Sequence, residues 1–320
     1  LEAGEQSGQG TSDDLNGYRT EGIARLDSTI KNGRRSSAAV AYLRPALSRS
    51  NLRVMTGALV NRILIESHRA VGVEYQAKGA TRRARASTAV IVSCGAIKTP
   101  QLLMLSGIGP TDYLQSMDIR PVLDLVGVGQ GLQDHLTVIT GFECKRPVTL
   151  HKLTHPLKKL EVGLQWLLTH SGLGASNIWE MGGLVYGNGD VEHPNLQYHF
   201  TPVFSEWQGR RLKLHQGYQL NCDQLRPTSK GEVKLHSCDP RDRPAAHFNY
   251  LSHPHDVKEL VEGLRAMEEL LTQPAFDAYR GQRITPAPGV TSDDDLEAYV
   301  RATATTDYHP CGTCRMGDDE

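Results

Sequence analysis

Excess charge, long apolar runs and closely spaced cysteine pairs are all scarce in this sequence, and each scarcity removes a class of protein. Thirty-five lysines and arginines against thirty-six aspartates and glutamates leave a formal net charge of -1. No global basic field therefore points to nucleic acid or an anionic membrane surface. No apolar run approaches the roughly twenty residues needed to span a bilayer, and no charged-then-apolar leader opens the chain, which leaves the compartment open. The six cysteines (Cys94, Cys144, Cys222, Cys238, Cys311 and Cys314) are scattered through 320 residues. That is unlike the dense framework of a small secreted scaffold, so reduced thiols are expected. What remains, 39% hydrophobic and 22% charged residues, suffices for ordinary cores in about two domains. The start at Leu1 and the stop just after an organised turn suggest a fragment cut at both ends.

Residues 1–50 read as a polar, glycine-rich connection followed by a short helix over 37–47. From Leu52 the pattern becomes a β-meander: "LRVM", "LVNRILI", a polar turn at 66–69, "AVGVEY" and "TRRARA". The continuous apolar run Ala89 to Val92 suits a strand buried on both faces. A helix should follow, with Thr99 at the N-cap, Pro100 at the first helical position and Ser106-Gly107 at the end. A strand, glycine turn and helix in this order make the junction at which α/β proteins bind ligands.

A second glycine cluster, "VGVGQGLQDH" over 126–135, lacks the third glycine of G-x-G-x-x-G and no long helix follows, so it reads as a surface turn. Beyond residue 141 the texture is α+β. A helix, "LKKLEVGLQWLLTH", precedes the short strands "NLQYHF", "GYQLNC", "GEVKLH" and "AAHFNY". A longer helix then aligns Val257, Leu260, Val261, Leu264, Met267 and Leu271, and Ser292 with Asp293 to Asp295 caps a last one.

The densest chemistry lies in "YHPCGTCRMG", residues 308–317. A structural zinc site needs four ligands, and His309, Cys311 and Cys314 supply three with no second pair nearby. A thioredoxin-like dithiol wants its cysteines at a helix start, whereas these enclose Gly312-Thr313 after a proline. The third reading is a turn that presents one histidine, with Pro310 favouring an extended backbone at His309 and Gly312 allowing close approach of the main chain. The cysteines would then pack behind it as small apolar groups.

The stretch "GAIKTPQLLMLSGIGP", residues 95–110, strongly resembles the second signature of the glucose-methanol-choline (GMC) family of FAD-dependent oxidoreductases. "NGRRSSAAVAYLRPAL", "NLRVMTGALVNRIL", "GVGQGLQDH" and "YHPCGTCRMG" are similar to that family's other blocks, in the same order. "GLGASNIWEMGGL" and "NLQYHF" are most similar to its choline-oxidising members. Two family parts are absent from these 320 residues: the G-x-G-x-x-G loop that holds the FAD pyrophosphate, and the second catalytic His or Asn. Gly131 also stands where the family usually has Asn.

The resemblance implies an incomplete Rossmann-like α/β FAD-binding domain, residues 1–140 and 286–320, with an α+β substrate domain on an antiparallel sheet, residues 141–285. It implies oxidation of a primary alcohol, choline to betaine aldehyde, by hydride transfer to FAD. His309 would assist proton removal, since an imidazole with an ordinary pKa near 6.5 is neutral at working pH. Glu180 and Trp179 are expected to meet a quaternary ammonium, which prefers aromatic faces beside a negative charge, with Tyr308 as a further wall. Val60, Ser93, Gly95 and Ala96 are expected to border FAD, and no resident metal is expected. Electrons would pass to a membrane-linked acceptor, a quinone or the respiratory chain, from a cytoplasmic or peripheral inner-membrane site. The fragment alone is expected to be inactive. His135, His199 and His247 read as structural. Two alternatives remain: the same flavin chemistry on a neutral aliphatic alcohol, and a non-enzymatic metal- or partner-binding module using Cys311 and Cys314.

Overall fold

Alternation of apolar and polar residues through Leu136–Cys144, Leu196–Thr201 and Gly217–Gln224 gives one sheet two unlike faces. In the computed structural model, which describes residues 1–188 and 191–317, these strands belong to a seven-stranded sheet. Its order is Gly22–Arg25, Met181–Val185, Leu196–Thr201, Gly217–Gln224, Leu136–Cys144 and Arg280–Thr285, and Thr305–Thr306 pairs with the start of Leu136–Cys144. Every pairing is antiparallel. The helix Pro254–Leu271 covers one face of this sheet. Val257, Leu260, Leu264, Met267 and Leu271 are each at most 3% exposed, so the face aligned by the helical period is the one the fold buries. Helix Asp293–Thr303 opens on a capping box in which Ser292 Oγ accepts from the Asp295 N–H at 3.2 Å and Asp295 Oδ2 accepts from the Ser292 N–H at 3.3 Å. This unit comprises residues 1–52, 136–226 and 254–307.

The second unit comprises residues 53–135, 227–253 and 308–320. It holds the expected meander, Ala58–Glu66, Arg69–Ala77 and Ala80–Arg85, and a separate three-stranded sheet ordered Ala245–His247, Gly231–Lys234, Gln130–Leu132. Helix Gly95–Leu105 contributes Met104 to a core with Leu114, Val128 and Leu235. Both elements follow from short-range pattern: turn residues at Ser67 and His68 with positive φ close the first hairpin, and Gly107, at φ +83°, ends the helix.

Several expectations are corrected. The units divide elsewhere than at 140 and 286: residues 1–52 join the large sheet because Gly22–Arg25 pairs with Met181–Val185. Residues 227–253 leave it because Gly231–Lys234 pairs with Gln130–Leu132. Leu52 to Met55 precedes the meander instead of forming a strand of it. Ala89 to Val92 forms no strand among the described residues, and Ile91 is 88% exposed, because no neighbouring strand offers it a ladder. Residues 126–129 of the glycine cluster form the expected turn, with Val126 and Gly127 exposed, but Val128 and Leu132 are buried and the cluster continues into a paired strand. Helix Pro156–Thr169 forms as expected, but its leucines are exposed. No helix among the described residues is long and apolar enough to cross a membrane.

Candidate functional site

Helix Gly95–Leu105 begins four residues before the expected N-cap and carries Pro100 inside it. A proline has no N–H to give to the carbonyl four residues back, so the Ala96 carbonyl loses its helical partner. Thr313 replaces it, donating from Oγ1 to Ala96 O at 2.6 Å, and is itself 2% exposed. The neighbouring backbone completes the attachment. The Gln133 N–H donates to Cys311 O at 3.0 Å, the Cys311 N–H to Gln133 O at 2.8 Å, and the Gly129 N–H to Thr313 O at 2.9 Å. "YHPCGTC" is therefore stitched to "GVGQGLQD" within one unit. Gly312, at φ +92°, lies so close to this segment that a Cβ would stand 2.2 Å from Gly131 O.

This turn sets His309. Its backbone N–H donates to Asp134 Oδ1 at 2.8 Å, and Asp134, 3% exposed, accepts at Oδ2 from the Tyr250 hydroxyl at 2.6 Å. The His309 ring is exposed and meets His135 edge to face, with Nδ1 to Nδ1 at 3.3 Å. Such a contact is a hydrogen bond only when one of the two nitrogens carries a proton and the other accepts it. Tyr308, beside it, has φ +63° and an exposed ring. Cys311 and Cys314 are exposed, not packed behind the turn as expected, because backbone pairing and Thr313 fill that position. Asp134, His135 and Tyr250 were missed as site residues; their signal was the "LQDH" and "FNYL" blocks, whose contact with residue 309 is tertiary.

The residues expected to border a dinucleotide lie in the same unit. Val60 is half-buried on the edge strand of the meander, paired with Tyr75, and the register slips immediately after it. Ser93 and Gly95 are exposed at the start of the helix, where no side chain caps the first turn, and a Cβ on Gly95 would meet nothing within 4 Å. An open edge strand and an uncapped helix start with room above it suit one border of FAD, in which main-chain donors meet a polar group. A cavity of about 800 Å³ in this unit, lined by Ile63, Ser106, Arg120 and Arg241 among others, contains none of these residues.

In the other unit, Glu180 is exposed just before strand Met181–Val185, and Trp179 is half-buried with its ring edge-on to His199 at 5.8 Å. His199 Nε2 stands 3.0 Å from Asp223 Oδ2. Asp307 brings a third ligating group, all three within 4.8 Å of one another. Burial by itself would pull the His199 ring below its ordinary pKa; Asp223, and after it Asp307, more than offset this and the pKa is raised. His199, read from the sequence as structural, thus belongs to a charged cluster beside Trp179. This cluster is the set of side chains among the described residues that could hold a metal, and neither Cys311 nor Cys314 is part of it.

Two models of the GMC oxidoreductase family match the chain, one over residues 1–137 and one over 227–320. The chain belongs to the GMC oxidoreductase family. It is 44% identical over 317 residues to the mitochondrial choline dehydrogenase of Mus musculus, a match covering 99% of this chain and 53% of the relative. It is 44% identical over 321 residues to an oxygen-dependent choline dehydrogenase of Burkholderia vietnamiensis, covering 100% of this chain and 57% of that protein. A formate oxidase of Aspergillus oryzae superposes with a TM-score of 0.89 at 25% identity, over 98% of this chain and 59% of that one. A pyridoxine 4-oxidase, at 24% identity and a TM-score of 0.84 over 99% of this chain and 58% of that one, shares the fold. The chain thus spans about half the length of the curated relatives it matches.

Proposed function

We propose that this chain, in a protein of its relatives' length, oxidises a primary alcohol, with choline as the favoured substrate and betaine aldehyde as product. FAD, when bound, supplies the hydride acceptor. His309 takes the hydroxyl proton on its ring while the α-carbon hydride leaves, and Asp134 holds the turn that aims it through the backbone N–H. The observation that carries this reading is that turn: a backbone-stitched, proline-bounded segment presents an imidazole next to a second imidazole able to share its proton. Tyr308 stands on the same turn as an aromatic wall, and Val60, Ser93, Gly95 and Ala96 border the dinucleotide.

Glu180 and Trp179 select the substrate. A quaternary ammonium offers charge but no hydrogen-bond donor, so a carboxylate beside an indole recognises it without needing a directed bond. The choline dehydrogenase relatives support this substrate, and Glu180 would have no task if the alcohol were neutral and aliphatic. Comparing turnover of choline with that of its neutral isostere 3,3-dimethylbutanol separates the two. Preference for choline, abolished by Glu180→Gln, is expected; equal efficiency on both alcohols would leave the neutral-alcohol reading.

The electrons pass to a membrane-linked acceptor from a cytoplasmic or peripheral inner-membrane position. The 320 residues alone lack a G-x-G-x-x-G cradle and should bind no FAD. A yellow, choline-reducible preparation of these residues would contradict that expectation.

A further inference from the structure

Helix Pro156–Thr169 turns its apolar side outward. Trp166 anchors the opposite side: its indole Nε1 donates to Gly33 O at 2.7 Å, and the Arg34 guanidinium lies over the ring at 5.8 Å. Val162, one turn earlier, is half-buried with it. Leu157, Leu160, Leu164, Leu167 and Leu168 follow the three-and-four spacing of a single helical face, and they are 48% to 79% exposed. Five leucines in register are a patch, unlike the single apolar residues of an ordinary surface. The segment Leu150–Thr154 leads into this helix and also touches strand Arg211–His215. That strand pairs only with Phe204–Gln208, in a hairpin where Trp207 sits opposite Leu212 and both are exposed.

Charge decides which partner fits. The net charge of -1 conceals a local excess: residues 145–170 carry five lysines and arginines against one glutamate, and the hairpin carries three against one. All of these cations are exposed. Both acids are already engaged, Glu161 by Lys158 at 2.6 Å and Glu206 by His215 Nε2 at 2.8 Å. By the helical period Lys158 and Lys159 fall on either flank of the leucine stripe. The core of a protein–protein interface is depleted in lysine. Leucine and tryptophan flanked by lysine instead suit the headgroup boundary of a bilayer, where aliphatic stems lie along the acyl chains and ammonium groups meet phosphates.

We propose that this helix and the Trp207 hairpin form a docking surface for an anionic phospholipid bilayer. The leucines enter the acyl boundary, and the lysines and arginines meet the phosphates. The surface deepens the peripheral-membrane position proposed above and rests on that reading for which bilayer it meets.

The test is flotation of the full-length, flavin-loaded protein with vesicles of phosphatidylcholine, or of an equimolar mixture of phosphatidylcholine and phosphatidylglycerol. Binding to the mixture should exceed binding to phosphatidylcholine by about tenfold or more and fall with added salt. Leu160→Gln with Leu164→Gln, and separately Lys152→Gln with Lys159→Gln, should each lower binding to the mixture about tenfold, with flavin content and thermal midpoint unchanged. Equal binding to both vesicles, or undiminished binding by the folded leucine variant, overturns the proposal. If that variant does not fold, undiminished binding by Trp207→Ser does so instead. A full-length protein that fails to float also overturns it; the face then belongs to the rest of the chain, or to a second copy if a dimer forms that the leucine variant abolishes. The vesicles hold neither quinone nor choline, so the outcome is read apart from the proposed acceptor and alcohol.

Discussion

Thr313 donates from Oγ1 to the carbonyl of Ala96 at 2.6 Å, and that carbonyl needs a donor because Pro100, four residues on, has no N–H to give it. A proline inside one helix is thereby tied to the turn that carries His309. The link joins two segments more than two hundred residues apart and makes the position of the imidazole part of the unit's core.

Replacing Thr313, itself 2% exposed, by valine keeps the shape and removes the donor to the carbonyl of half-buried Ala96. The expected cost is about 1–3 kcal/mol in denaturant unfolding of the chain, with Thr313→Ser close to unsubstituted. Equal stability of the valine variant would mean that the bond is not what holds the turn.

Gly312 and Gly131 both have positive φ but differ in room. A Cβ on Gly312 would press within 2.2 Å of Gly131 O, while one on Gly131 meets only Gly312 O at 3.6 Å. Gly312→Ala should therefore destabilise severely. Gly131→Asn should be nearly neutral, since Asn tolerates the left-handed region at φ +73°. Thermal melts of the two variants check the contrast, and equal losses would contradict it.

Stability should depend on pH through His199. Its pKa is raised on folding, so the stabilisation is fully present below the unfolded value of about 6.5 and is lost as pH rises through the folded-state value. Denaturant midpoints across that interval should fall with increasing pH in the unsubstituted chain and stay flatter in Asp223→Asn. Parallel curves would remove Asp223 as the cause.

The sequence was most informative where one element determines its own structure. The meander from Ala58 onward, the buried face of Pro254–Leu271 and the Ser292 cap depend on local period and turn chemistry, and each is found where the pattern put it. Pattern failed where a distant partner decides. Ala89 to Val92 has the residues of a buried strand and no strand to pair with, and the leucines of Pro156–Thr169 have a helical period but no sheet beneath them. The helix start moved from Thr99 to Gly95 because a threonine far along the chain satisfies the carbonyl that Pro100 frees. In the site, the family blocks led to His309, Glu180 and Trp179. They did not reveal the buried carboxylates Asp134 and Asp223, because a carboxylate's role here comes from burial and from the imidazole or N–H that tertiary structure brings to it.

The most direct measurement is the rate at which choline reduces the flavin in a single turnover of the full-length protein, with His309 intact and replaced by alanine. Loss of the imidazole should slow reduction by about 10²- to 10⁴-fold, with bound FAD retained. Reduction at the unsubstituted rate in the alanine variant would contradict the assignment of His309 as the group that takes the proton.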